Sequence, residues 1–473
     1  MRTLFPYSLI ASGLLFSTGV QAGGASPYLP LNQYPELEHQ VERAMALAGR
    51  APLRKPYSAA EVLDALPAIC KVDEAICNQV KRFLKRYQQP LSLTQASLTL
   101  RAHTGEDSLE ANQRGQGTDS TARVDLSGYW QFSDYGIVTL GGQVSEDDAQ
   151  PVDAMLSLGF DWAQLDIGYR SHWYSPMHDS AMLLGTQAEN LPGITLSNTR
   201  PISDFNLRYE FFLGELSYSD RIAYQGGYTA GKPKLAGFHL SMEPLEGWSL
   251  GFNRIMQFGG GARGGDSLSD MFKAFFDPTS NDNVGQGVDQ DGEFGNQAAS
   301  FTTQFHFDGD TPFNLYFEYA GEDTSKSENW RLGNVALSGG LHIPRLAQDW
   351  DLTYEFSEWQ NAWYVHHIYQ DGLTNEKVPL GHWASTQRRF NDGVGAQVHT
   401  LILGWTPSAS DFWRFKYRTL QNQGYSSVEY SRYHQLTAAY STVWRSYMVG
   451  MELTLQRDVF NEESAMLSGS LRW

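Results

Sequence analysis

The chain has 473 residues, with 53 acidic against 35 basic side chains and a formal net charge of -18, a balance that argues against nucleic acid as a partner. Mean hydropathy is -0.40 and, past the N-terminus, no apolar run approaches the about 18 residues of a membrane helix, so a membrane would have to be crossed with strands. Aromatic residues make up 13% of the chain, enough for the two girdles a membrane barrel sets at the lipid interfaces; the plainer reading is a secreted β-rich protein with aromatic sugar sites.

The first predicted element is a cleaved secretory signal over residues 1–22, with Arg2, an apolar core over 9–16 and a small-residue end at Val20, Gln21 and Ala22. The mature chain then begins near Gly23. Residues 23–89 read as a small periplasmic α-helical domain. Pro35 opens a segment with Leu37, Val41, Ala44, Met45 and Ala48 at helical spacing, and Ser58 with Glu61 forms a capping box ahead of Val62, Leu63 and Leu66. A third helical run carries Ile76, Val80, Phe83, Leu84 and Tyr87. Cys70 and Cys77 are the only cysteines. Seven residues along one helix rise about 10.5 Å, beyond the about 7 Å Cα limit for a disulfide, so a bond requires a helix break between them. An oxidising periplasm favours that bond; the rival is a pair of buried thiols.

Residues 90–473 are dominated by period-two runs. Phe205, Leu207, Tyr209, Phe211 and Leu213 oppose Asn206, Arg208 and Glu210. Tyr447, Val449, Met451, Leu453 and Leu455 oppose Ser446, Glu452, Thr454 and Gln456. The last eleven residues alternate Ala465, Leu467, Gly469, Leu471 and Trp473 against Ser464, Ser468, Ser470 and Arg472, the pattern lipid demands of a strand whose backbone pairs completely. A first count gives nineteen runs, which an even-stranded bacterial barrel does not allow; joining 350–357 to 359–367 makes eighteen. The connections then sort into short ones at 133–136, 161–162, 214, 243–247, 308–311 and 406–410 and long ones at 102–120, 173–203, 258–297 and 368–395. The fold expected is an all-β transmembrane barrel of about 18 antiparallel strands with a small N-terminal α-helical domain, its short turns periplasmic and its long loops extracellular.

Three stretches carry a resemblance: 26–66 (SPYLPLNQYPELEHQVERAMALAGRAPLRKPYSAAEVLDAL), 169–198 (YRSHWYSPMHDSAMLLGTQAENLPGITLSN) and 258–278 (FGGGARGGDSLSDMFKAFFDP), supported by GNQ at 295–297 and GHWASTQR at 381–388. From about residue 26 onward the chain resembles the Wzi capsule-assembly family. That resemblance implies an eighteen-stranded outer-membrane barrel with a periplasmic helical domain. It also implies a role in holding capsular polysaccharide at the cell surface as a lectin, not as its export channel. Relatives occur with other exported polysaccharides, so the implied partner is surface polysaccharide in general. Outer-membrane lipid meets the barrel wall, and the helical domain is the candidate contact for the export machinery.

Signs of catalysis are few. GxSxG, HExxH and ligand-spaced histidine pairs are all missing from the sequence, so neither an enzyme nor a cofactor nor a metal is expected. His366 and His367 are adjacent and would point to opposite faces of a strand. The glycines at 259–265 lack the Gly-Lys-Ser/Thr ending of a phosphate loop and read as a loop hinge. Asp289, Asp291 and Glu293 imitate part of a calcium loop without its full ligand series, so solvated charge is the expected reading, as for the pairs Asp147 with Asp148 and Glu462 with Glu463.

Two constellations remain. Trp413, Phe415 and Tyr417 oppose Arg414, Lys416 and Arg418, which places three cations in the lumen. They either hold acidic sugars or, as lumen charges normally do, neutralise acids such as Glu452. In the loops, His172, Trp173 and Tyr174 leave a strand top, while His382, Trp383, Arg388 and Arg389 lie in a second long segment. Aromatic faces stack on sugar CH groups and Arg binds carboxylates bidentately, so these seven are the candidate polysaccharide contacts; loop packing is the competing role. The expected function is a non-enzymatic anchor for polysaccharide, and the alternative is a porin-like channel for anions or oligosaccharides.

Overall fold

Alternating side chains close the chain on itself. In the computed structural model the described residues are 23–146, 148–264, 267–276, 291–322, 324–325 and 328–473; the expected signal over 1–22, Asp147 and Asp289 lie outside them. Eighteen antiparallel strands form one barrel. They are β1 (Leu91–Thr104), β2 (Ala122–Ser133), β3 (Gly136–Ser145), β4 (Ala149–Pro151 and Ala154–Phe160), β5 (Ala163–Tyr169), β6 (Pro192–Ser197), β7 (Arg208–Glu215), β8 (Lys234–Leu245) and β9 (Trp248–Phe258). The second half comprises β10 (Gly295–Phe307), β11 (Phe313–Glu322), β12 (Val335–Ala347), β13 (Trp350–Trp359), β14 (Ala396–Trp405), β15 (Asp411–Asn422), β16 (Tyr433–Trp444), β17 (Tyr447–Arg457) and β18 (Glu463–Arg472). Pairing of β18 with β1, from Ser97 opposite Arg472 to Thr104 opposite Ala465, removes the last free edge.

The wall follows the pleat. Leu98, Leu100, Val124, Leu126, Leu453 and Leu467 stand exposed on the outside, while Ser97, Thr99, Asp125, Thr454 and Ser470 are buried on the inside. At one end the turns are short, as at 134–135, 161–162, 246–247, 348–349 and 445–446. Gly247, with φ +77°, supplies the left-handed backbone one of these two-residue turns needs. An aromatic girdle rings the same end: Trp350 stacks on Trp405, Trp405 on Trp413, and Trp413 lies 4.5 Å from Tyr440 by ring centroids. At the other end the connections run long, including 105–121, 170–191, 259–294 and 360–395.

Three sequence expectations change. Strand β13 ends at Trp359, and 360–367 does not continue it; Ala362 (φ +73°) and Tyr364 (φ +64°) break the extended backbone. The run looked strand-like because Trp363 and Tyr364 are apolar, but both are buried in the barrel interior and do not face lipid. Gly214 is a residue of β7 and not a turn, and the chain beyond β7 forms a hairpin outside the wall, Ser219–Tyr224 paired with Gly227–Gly231. The missing strand is β6, only six residues long, inside a stretch that read as one loop.

Before the barrel come α1 (Pro35–Leu47), α2 (Ala59–Val72) and α3 (Glu74–Leu84); a fourth helix, α4 (Leu268–Phe276), lies in the loop between β9 and β10. Ser58 caps α2 by accepting from Glu61 N at 3.0 Å. Asp73 ends that helix and caps the next, accepting from Ile76 N at 2.9 Å. The break lets Cys70 and Cys77, with Cα atoms 5.0 Å apart, join in a disulfide. Among the described residues no helix is long and apolar enough to cross a membrane.

This helical segment is built into the barrel. Its apolar face (Leu37, Val41, Met45, Val62, Ile69, Val80, Leu84) forms one core with Tyr129 and Ile137 of the wall. Helix α1 sits in the short-turn end, where Glu36 pairs with Arg472 at 2.7 Å and Asp351 meets both Arg43 at 3.3 Å and His39 at 3.0 Å. The chain after α1 reaches deeper, as Arg54 pairs with Glu210 of β7 and the backbone of Lys55 bridges to that of Trp173.

Candidate functional site

The loops at the long end fold inward, and two buried carboxylates organise them. Asp179, in the loop 170–191, accepts from Lys416 Nζ at 2.7 Å, from Arg418 Nε at 2.7 Å and Nη2 at 2.6 Å, and from Thr400 Oγ1 at 3.0 Å. Burial acts to raise its carboxyl, but Arg418 and Lys416 outweigh that and hold it far below the usual carboxylate range. Arg414 pairs with Glu452 at 3.6 Å. All three lumen cations therefore face acids. Glu210 is the second centre, receiving Arg170 at 2.7 Å, Arg54 at 3.2 Å, the Tyr174 hydroxyl at 3.0 Å and His172 Nδ1 at 2.7 Å.

These contacts relocate most of the residues singled out from sequence. Trp173 and Tyr174 are 1% and 0% exposed, and the Trp173 indole donates to Met177 O at 3.1 Å. His172 stacks on Phe212 with ring centroids 4.3 Å apart. Trp383, 2% exposed, packs on Tyr433 and under the Arg418 guanidinium at 4.8 Å. His382 is a neutral ring, pushed down to about 3 by burial, whose Nδ1 accepts from Ala384 N at 3.1 Å. Arg388 is also buried, its two Nη groups donating to Val394 O at 2.7 Å and Trp363 O at 2.5 Å. As exposed sugar contacts these residues are misplaced, because loops 170–191 and 360–395 pack on each other inside the barrel. Gly185 N donates to Leu380 O at 2.9 Å and the Tyr364 hydroxyl to Met182 O at 2.5 Å.

Arg389 alone of the seven stands exposed, and its guanidinium pairs with no carboxylate among the described residues. Around it lies a rim that sequence reading passed over. Phe390, Tyr425 and Phe460 are 47%, 60% and 50% exposed, on three different loops. Tyr430 knits them: its hydroxyl donates to Asp392 Oδ2 at 2.6 Å and accepts from Arg389 N at 3.0 Å, and its ring lies 5.9 Å from that of Phe460. The Tyr425 hydroxyl accepts from Gly395 N at 2.7 Å, so this ring is also held in place. Burial works against charge on Asp392, yet the Tyr430 and Ser426 hydroxyls hold its carboxyl below the ordinary range. The signal in the sequence was faint, isolated aromatics in polar loop stretches.

A polar cavity of about 160 Å³ lies in the lumen beside Arg101, Arg123, Arg414, Lys416, Glu110 and Glu452. His366 and His367, expected on opposite faces of a strand, lie instead in the loop 360–395 with ring centroids 4.4 Å apart. Arg414 and Glu452, with 27% and 32% of their side chains reaching solvent, are the most exposed ion pair lining this cavity among the described residues.

The family described as capsule assembly protein Wzi matches residues 84–391, well over half of the chain. The chain belongs to that family. The solved structure of Wzi from Escherichia coli, described as an outer membrane protein involved in group 1 capsule assembly and a carbohydrate-binding β-barrel, superposes with a TM-score of 0.69, covering 95% of this chain and 99% of that one at 16% identity. At that identity the Wzi likeness speaks for the fold. An uncharacterized 55.8 kDa protein in the cps region of Klebsiella pneumoniae is 26% identical over 325 residues, or 65% of this chain. The match spans 57% of that relative's length. With a Wzi-family match and a closed eighteen-stranded wall, the chain is an outer-membrane β-barrel protein.

Proposed function

We propose that this chain holds a capsular or other exported polysaccharide at the cell surface, without catalysis, through the rim at its long-loop end. The helical segment then faces the periplasm and the long loops face outward, the asymmetry usual for outer-membrane barrels. The observation that carries the reading is that the lumen is filled from both sides, by α1 and its flanking chain at one end and by loops 170–191 and 360–395 at the other. Such a barrel offers polymer its rim, not its bore. That observation also weighs against the porin-like alternative. Phe390, Tyr425 and Phe460 provide faces for sugar CH groups, and Arg389 provides a cation for uronate or other acid groups. The half-buried His172 and the buried Trp173, Tyr174, His382, Trp383 and Arg388 serve the same function indirectly, by setting the loops that carry the rim. The exposed side of α2 and α3 is the face offered to an export machinery.

The test is binding of the purified protein in detergent to oligosaccharides cut from the surface polymer of the producing strain. Arg389→Ala combined with Tyr425→Ala should weaken binding at least about tenfold, equivalent to about 1.4 kcal/mol, with the heat-modifiable migration of the folded barrel unchanged. Arg414→Ala, inside the lumen, should leave affinity within about twofold, below about 0.5 kcal/mol. Equal affinity for the rim variant and wild type would refute the assignment.

A further inference from the structure

Two loops that are far apart in sequence bring three metal-ligand side chains to one point. His366 and His367 belong to a loop, so the strand alternation that would separate neighbours does not apply to them. Glu293, just before β10, presents one carboxylate oxygen to each ring: Oε2 lies 2.7 Å from His367 Nε2 and Oε1 lies 3.8 Å from His366 Nε2. All three ligand atoms fall within 4.8 Å of one another. The Glu293 and His366 side chains are 1% and 5% exposed, whereas His367 is 51% exposed, so the group is out of water on two sides and open on one.

That spacing suits a small dication. Tetrahedral zinc, with bonds of about 2.0–2.1 Å, sets its ligand atoms about 3.3–3.4 Å apart, a value between the two separations present here. Two imidazoles and one carboxylate, with a position left open, form a donor set for transition metals such as zinc and a poor one for calcium or magnesium, which take oxygen. We propose that Glu293, His366 and His367 bind one divalent transition-metal ion, zinc by class, with water completing the coordination. Ligation through Nε2 places each ring proton on Nδ1; for His366 this gives up a contact of 3.3 Å with Ile368 N, one long hydrogen bond. The ion would clip the loop 259–294 to the loop 360–395. A neighbouring contact already runs the same way, for the Tyr369 hydroxyl donates to Gly259 O at 3.1 Å. This inference is independent of polysaccharide binding.

Untagged protein, stripped with a chelator in detergent and titrated with zinc chloride, should take up one zinc per chain by calorimetry and elemental analysis after dialysis. Cobalt(II) in place of zinc should give the visible bands of a low-symmetry four- or five-coordinate site. His366→Gln and Glu293→Gln, prepared separately so that one folding failure does not end the test, should each weaken zinc binding at least tenfold with heat-modifiable migration unchanged. The proposal is overturned if wild type takes up no zinc at micromolar concentration, or if both folded variants bind as wild type does.

Discussion

Replacing Asp179 with Asn should cost the folded protein about 3–5 kcal/mol, the usual penalty for stranding a buried charge, read as a fall in the urea midpoint for loss of the heat-modifiable band. The carboxylate is 1% exposed and neutralises Lys416 and Arg418 together. An amide keeps the shape and removes the charge, which leaves two cations in the lumen with no anion in contact. The effect should spread, because Arg418 also lies against Trp383 and so ties loop 170–191 to loop 360–395. Adding Lys416→Met should recover part of the loss, since the two sites share one interaction. The pH dependence comes from the lowered carboxyl. Its contribution is complete above the unfolded value of about 3.9 and fades only as pH falls below that, through the lower folded value. Between about pH 5 and 8 the Asp179 carboxyl of wild type therefore adds no pH dependence of its own to stability. A midpoint within about 0.5 kcal/mol of wild type would mean that Asp179 does not hold the plug.

In planar lipid bilayers the intact protein should be close to silent, and a variant in which residues 35–47 of α1 and residues 175–188 are each replaced by a short Gly-Ser linker, so that both ends are emptied, should conduct. A barrel of this strand number leaves an aqueous bore unless something fills it. Here Leu183, Leu184, Trp363, Tyr364 and Trp383 form one apolar cluster across the interior with wall residues such as Leu235, Ile255 and Val398. Removing 175–188 takes away Asp179 and the apolar run after it, so the remaining loop has little to pack against. Steady single-channel current from the intact protein would favour the porin-like reading and remove the main support for the rim.

Much of the wall was legible. In 447–457 and 463–472, large apolar and small or polar residues alternate so regularly that the outer and inner faces can be assigned residue by residue, and β17 and β18 place them that way. The break between Cys70 and Cys77 was legible too, because a disulfide at that spacing cannot span an unbroken helix. Where the chain fills the barrel, the same reasoning misled. Trp363 and Tyr364 are apolar for a core, not for lipid, and period two does not distinguish the reasons. The loop aromatics failed for a related cause. Trp173 and Trp383 have the composition of a sugar site, but composition does not say whether a long loop stands outside the barrel or folds into it. That choice is made by Asp179 and Glu210, whose partners come from segments as distant as Arg54 and Arg418. The exposed rim rests on short loops around Tyr425 and Phe460, too small to attract notice in the sequence.

The most direct measurement is polymer retention by cells lacking this protein and complemented with defined variants. Total surface polysaccharide is assayed in the washed cell pellet and in the medium. Wild type and Arg414→Ala should keep polymer on the cells, whereas the variant carrying Arg389→Ala, Phe390→Ala and Tyr425→Ala should release most of it to the medium at unchanged total yield and unchanged barrel level. Retention by the rim variant equal to wild type, or loss of total polymer in cells without the protein, would contradict a surface anchor acting through its long-loop end.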